Sequence, residues 1–151
     1  AEGKNNSQLR ILGTYVQSSL CWAISCGPQI SDDAVAHMNA QGLQSLRGKT
    51  WAISRLNSGS HLMTFVMGRS LGWDTRSEKD FRFKVAGDIH GLIKAVSASS
   101  TDGDAVDSES NNDSTTESGS LADFFMWETF TTKPWHDKRV LKRVGEFYTP
   151  W

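Results

Sequence analysis

The residues best suited to chemistry sit in the run from Thr50 to Trp73, TWAISRLNSGSHLMTFVMGRSLGW. Ser58, Gly59, Ser60 and His61 follow a short apolar stretch and open a helical pattern with Leu62, Met63, Val66, Met67 and Leu71 on one stripe. A helix starting here leaves the N–H groups of its first turn unpaired, and its macrodipole puts partial positive charge there. Such a turn is often met by its own Asp or Glu, yet His61, Leu62, Met63 and Thr64 supply no acid. The chemistry on offer is capture of an anionic oxygen by backbone donors and two hydroxyls, with Gly59 allowing close approach. A plain serine N-cap is the competing reading. Trp127 offers an aromatic wall for a planar ligand. Glu128 is either an acceptor for a ligand amine or an ion-pair partner of Arg55 or Lys133. Asp88, just ahead of a second helical pattern, is either a cleft residue or a cap.

Catalysis needs more than these residues. Asn57-Ser58-Gly59-Ser60-His61 is not G-x-S-x-G, and a serine next to a histidine in sequence does not make a dyad. His37, His61, His90 and His136 lack metal-like spacing, and Cys21 and Cys26 form no cluster with them. Asp32-Asp33 reads as a loop or cap pair, and the glycines spell no dinucleotide or P-loop fingerprint. The expectation is therefore no enzyme, no metal and no cofactor. The basic run from Lys133 to Arg143 contains Trp135, as nucleic-acid binders do, but Val140 and Val144 interleave as in a packed helix. No nucleic-acid partner is expected.

The elements that must position these residues alternate. Leu9 to Ser25 is extended in character and is stopped by Gly27-Pro28, with Trp22 facing either the cleft or a neighbouring lobe. Residues 31–48 are polar, with one short helical pattern at Leu43 and Leu46. Thr50 to Ser54 reads as a strand, and the helix after it stops at Arg69 and Gly72. Phe81 to Ala86 alternates apolar and basic residues; Ile89 to Ser97 is helical with Ile89, Leu92, Ile93 and Val96 on one stripe. Leu121 to Trp127 is an apolar run typical of a strand buried on both sides, and Val144 to Tyr148 is a last short strand. Strands alternating with helices imply βαβ units and a mostly parallel sheet of about four to five strands in three layers. Ligands in such sheets sit beyond the carboxyl ends of the strands. Ser58–Ser60, Asp88 and the segment Trp127-Glu128-Thr129 all fall at those ends, so three segments converge on one edge.

Composition bounds the rest. The chain has 151 residues, 16 bases, 17 acids and 38% hydrophobic residues, enough for one domain with a real core. Ser97 to Ser120 holds six acids and no base, with Val106 as its only large aliphatic residue. Such a run cannot bury enough apolar area to offset ordering and reads as a disordered insertion in the domain spanning 1–151. Without it, 16 bases face 11 acids, a balance that suits small anions or acidic partners. No apolar run approaches the roughly 20 residues of a membrane helix, and the polar N-terminus has no signal core. Cys21 and Cys26, five residues apart on an extended strand, point to opposite faces. They fit a reducing, cytoplasmic setting and leave localisation undetermined.

Four segments also carry a resemblance: GKTWAISRLNSGSHLMTFVMGRSLGW, FKVAGDIHGLIKAV, ADFFMWETFTTKPW and RVGEFYTPW. Together they resemble one lobe of the type II periplasmic-binding-protein superfamily. The branch is that of the fungal and bacterial proteins similar to the nitrate-, sulfonate-, taurine- and thiamine-precursor-binding proteins. The family clasps ligand between two α/β lobes joined by two hinge strands, and this chain is similar to the second, middle lobe alone. Gly13 to Ser18 resembles the outgoing hinge strand and Glu146 to Trp151 the returning one, so both should lie on one edge. The resemblance places Ser58, Gly59, Ser60 and His61 at the family's ligand loop, and Trp127, Glu128, Thr129 and Asp88 at the cleft. It implies a small-molecule ligand, capture without catalysis and a missing partner lobe; apolar surface at Trp22, Trp127 or Trp151, left exposed on the cleft face, is expected to allow self-association. The alternatives are an enzyme related to thiamine-pyrimidine synthesis, whose cysteine-rich motif is absent, or a protein-interaction module.

Overall fold

Apolar stretches too short for helices build the sheet. A computed structural model describes residues 12–13, 19–77, 79–97 and 122–149. In it β2 (Thr50–Ile53) pairs in parallel with β3 (Arg82–Val85) and with β4 (Phe124–Glu128). β1 (Cys21–Cys26) runs antiparallel to β4, and β5 (Lys142–Tyr148) antiparallel to β1. The order is β3-β2-β4-β1-β5. Only β1 opposes the common direction, which makes the sheet mixed but mostly parallel.

Helices cover both faces, as the α/β three-layer expectation requires. Side chains alternate along β1: Trp22, Ile24 and Cys26 join a cluster with Trp51, Met67, Phe81, Phe124 and Met126 beneath α2 (Gly59–Ser70). On the opposite face Phe125 and Ala52 meet Leu92, Ala95 and Val96 of α3 (Ile89–Ser97). Fully buried Trp51 sets its ring 5.6 Å from that of Phe124 across the β2–β4 register. Both cysteines are free. α2 ends as its sequence demands. Gly72 has φ 76°, Gly72 N–H donates to Arg69 O, and Trp73 N–H donates to Gly68 O. This is a Schellman closure, which needs a residue without Cβ strain at the turn. Gly68 is needed for another reason: a Cβ there would stand 2.2 Å from Phe81 Cζ.

Several boundaries differ from the sequence expectation. The polar stretch 31–48 contains a full helix, α1 (Asp32–Gln41), before the 3-10 turn Leu43–Leu46. Ser31 caps it by accepting from Ala34 N–H at 3.1 Å, and Asp32 and Asp33 occupy its positive first turn. Only Val35 and Met38 touch the core, so its apolar stripe is too thin to read. The final helix, α4 (Thr129–Asp137), begins directly after Glu128 and takes in only the first part of the basic run Lys133 to Arg143, while β5 starts two residues earlier than Val144. The first strand is confined, among the described residues, to Cys21–Cys26. The acidic insertion beyond Ser97 and hinge residues 14–18 and 150–151 lie outside the described residues.

At the β1–β5 edge the two ends of the described body are joined. Leu20 N–H donates to Thr149 Oγ1 at 2.9 Å, and Thr149 N–H donates to Leu20 O at 3.0 Å. The strand that leads in and the strand that leads out thus lie side by side. Among the described residues no helix is long and apolar enough to cross a membrane.

Candidate functional site

β3 and β4 flank β2 on opposite sides, so the winding reverses at β2 and the loops leaving β2 and β4 diverge. Such a switch point opens a crevice at the carboxyl ends of the strands. A cleft of about 190 Å³ is found there, lined by Trp22, Ser54, Arg55, Ser58, Gly59, Ser60, Trp127 and Glu128. The loop directly after β2 supplies Ser54 and Arg55, the N-terminus of α2 supplies Ser58–Ser60, and β4 supplies Trp127 and Glu128. Trp22 arrives on the antiparallel strand, its Cα paired with that of Glu128.

The loop between β2 and α2 is held by three serines. Ser60 Oγ accepts from Ser54 N–H at 3.1 Å and lies 2.9 Å from Ser58 Oγ. Ser58 Oγ caps α2 by accepting from His61 N–H at 3.4 Å. Asn57 takes a left-handed conformation, φ 61°, which Asn tolerates better than most residues. The serine N-cap and the anion site are therefore compatible readings. The cap uses the His61 N–H, while the N–H groups of Gly59 and Ser60 have no protein acceptor among the described residues. Trp22 lies against this turn, and a Cβ on Gly59 would come 3.1 Å from its Cη2. The Trp22 indole N–H is itself buried without an acceptor among the described residues.

Five of the eight residues expected from sequence meet in this cleft: Ser58, Gly59, Ser60, Trp127 and Glu128. His61 does not. It is buried, its ring edge-on to Phe65 and Phe83 with centroids 4.8 Å and 4.6 Å away. Its Nδ1 accepts from Asn57 N–H at 2.9 Å, and burial lowers its pKa, so the neutral ring braces the loop from behind. Asp88 takes the simpler of its two readings: Oδ1 accepts from Gly91 N–H at 2.9 Å at the start of α3, which lowers the Asp88 pKa, and the residue is outside the cleft. Thr129 turns its hydroxyl to Cys21 Sγ at 3.1 Å on the other side of the sheet. Glu128 forms no ion pair with Arg55 or Lys133 among the described residues. Lys133 pairs with Asp137, and Glu128 Oε2 accepts from Thr131 Oγ1 at 3.2 Å. Trp127 divides itself between the cleft wall and the α3–α4 side of the core.

Sequence reasoning missed Ser54 and Arg55 as lining residues, although their position directly after β2 is the signal for them. A larger apolar groove, about 640 Å³, runs along α2 past Leu62, Met63, Phe65, Val66, Arg69 and Thr75. It lacks the converging backbone donors and opposed charges of the smaller cleft, which is the stronger candidate. No cluster of three His, Cys, Asp or Glu side chains suited to a metal exists among the described residues. Ser25 Oγ and His136 Nε2 lie 3.0 Å apart, but Ser25 is fully buried at the α4–β1 contact and neither residue lines the cleft.

No curated protein sequence matches the chain. A solved structure from Candida albicans is similar over 93% of this chain and 36% of its own length, with 31% identity and a TM-score of 0.65. That protein is the CA3427 gene product, described as defining a new family with the generic periplasmic binding protein fold. The chain thus spans little more than a third of the length of that relative. The family profile described as Ca3427-like PBP matches residues 22–147, which covers the cleft and nearly all of the sheet, and the chain belongs to this family of periplasmic-binding-protein-like α/β proteins.

Proposed function

We propose that the chain is one lobe of a two-lobed binding protein and that its cleft holds a small polar or anionic ligand without chemistry. The observation that carries this reading is the free Gly59 and Ser60 N–H pair at the N-terminus of α2, in a cleft also walled by Trp22 and Trp127. An anionic group would sit on those two donors and the Ser58 and Ser60 hydroxyls, and the indoles would pack its body. At about 190 Å³ the cleft is smaller than the roughly 300–1,000 Å³ usual for complete small-molecule sites, which fits half of a site closed by a second lobe. Leu56 and Phe130, 64% and 77% exposed, each follow within two residues of a cleft-lining residue and are the apolar side chains such a closure would cover. Among the described residues no histidine lines the cleft beside its serines. Ser54, Ser58 and Ser60 bond to one another, and His61 is turned away.

Alone, the lobe offers half the contacts, and affinity is expected near the millimolar level, about −4 kcal/mol. The finer affiliation, with nitrate-, sulfonate-, taurine- or pyrimidine-phosphate-binding proteins, is tested by an amide NMR titration with nitrate, sulfate, taurine, phosphate and a pyrimidine phosphate. Saturable shifts at Ser58–Ser60, Trp127 and Glu128 support the reading and rank the ligand class. Shifts absent there at tens of millimolar refute it for this chain. The same exposed face is proposed to self-associate, and sedimentation at rising concentration should show dimer that a saturating ligand reduces.

A further inference from the structure

Resting on that reading, we propose that the ligand is a zwitterion: an acid group held at the α2 end of the cleft and an ammonium or amine held by Glu128. Arg55 and Glu128 both line the cleft, carry opposite charges, and form no ion pair with each other among the described residues. Among the described residues the Arg55 side chain makes no hydrogen bond or ion pair, and Glu128 engages only a hydroxyl, that of Thr131 at 3.2 Å. A site for a simple anion has no use for a carboxylate on its wall, because like charge beside the ligand opposes binding. A site for a simple cation has no use for Arg55 and a free helix N-terminus. Both charges together fit one molecule whose two ends differ in sign, with its short apolar body between Trp22 and Trp127. On this lobe alone the cleft holds about 190 Å³, roughly six waters in the liquid, which matches short ω-amino acids as first probes.

The test pairs glycine, β-alanine and 4-aminobutyrate with acetate, propionate and butyrate, each followed by amide NMR on the 151-residue chain. The members of a pair differ only in the ammonium group. For the best-fitting length, the amino acid should bind about tenfold more tightly than its matched acid, the size of one charge-assisted hydrogen bond. In Glu128→Gln that advantage should vanish while the simple acid keeps its affinity; the Gln amide oxygen still accepts from Thr131, so the fold is retained. Arg55→Gln should weaken both members of the pair by the same factor. Equal affinities within every pair in the wild-type chain overturn the zwitterion assignment and leave the anion cleft standing. A preference that survives Glu128→Gln overturns Glu128 as the acceptor. Cleft amides unmoved by all six compounds overturn the cleft reading and this one with it.

Discussion

Replacing Ser60 by Ala should destabilise the chain more than the same change at either of its two serine partners. Ser60 is 2% exposed, and its Oγ is the acceptor for the Ser54 N–H as the chain leaves β2. Ala leaves that buried N–H without a partner, at a cost of about 1–3 kcal/mol. The change also recovers roughly 0.5 kcal/mol of helix propensity in the first turn of α2. The net loss is then about 0.5–2.5 kcal/mol, centred near about 1.5 kcal/mol. Ser58→Ala removes a cap whose bond to His61 N–H is long, 3.4 Å, and should cost about 0.5–1 kcal/mol, the low end for such caps. Ser54→Ala removes only a hydroxyl 3.5 Å from Ser60 Oγ and keeps the backbone donor satisfied, so its effect should stay within about 0.5 kcal/mol.

Urea denaturation followed by tryptophan fluorescence separates the three. With a slope of about 1.5 kcal/mol per molar, the Ser60→Ala midpoint falls by about 1 M and that of Ser54→Ala by less than about 0.3 M. Unchanged slopes are required for the comparison. If Ser54→Ala proved as costly as Ser60→Ala, the buried N–H argument would be refuted, because the hydroxyls and not the backbone donor would be holding the loop.

Gly68→Ala should cost about 1–3 kcal/mol by overpacking, since the new methyl meets Phe81 at 2.2 Å and Trp73 at 2.8 Å; thermal melts should show a clear drop in Tm. Gly72→Ala meets no atom but holds φ 76°, so its cost of about 1 kcal/mol should come from the backbone and be relieved by Asn. His61 and His136 are both lowered in pKa, chiefly by burial, so the fold favours their neutral forms. Their contribution is fully present above the unfolded value near 6.5 and is lost as pH falls through the lower folded values. The urea midpoint should therefore decline from pH 7.5 to 5, and His61→Phe should flatten part of that slope. A midpoint that rises over this interval contradicts the depressed values.

The legible part of the site is the part contiguous in sequence. Strand β2, the serine loop and α2 occupy one short stretch, and their local signals agree: apolar strand, small polar corner, helical stripe, glycine stop. Local and tertiary preferences coincide there, so the structure repeats the reading. α1 was hidden because two large apolar residues, Val35 and Met38, anchor it and its other positions are polar or alanine, so no stripe emerges above the loop-like composition. Position after a strand was enough to place Trp127 and Glu128 at the carboxyl edge. It could not tell whether Asp88 and Thr129, at similar positions, pointed there, because a side chain's direction depends on pairing parity and on local caps. Asp88 satisfies Gly91 N–H, and Thr129 lies one residue beyond Glu128, where α4 has begun and its hydroxyl meets Cys21.

Trp22 shows the limit most clearly. Its place against Gly59 follows from a strand that runs antiparallel to β4 with Trp22 opposite Glu128, a pairing between residues more than a hundred positions apart. One step of register would send it to the α3–α4 face, since side chains alternate along a strand. What fixes the register is the burial of Ile24 and Cys26 on the α2 side, and of Ser25 against His136 on the other. Cleft geometry at Trp22 is thus decided by core packing two and four residues away, and only the folded sheet can report it.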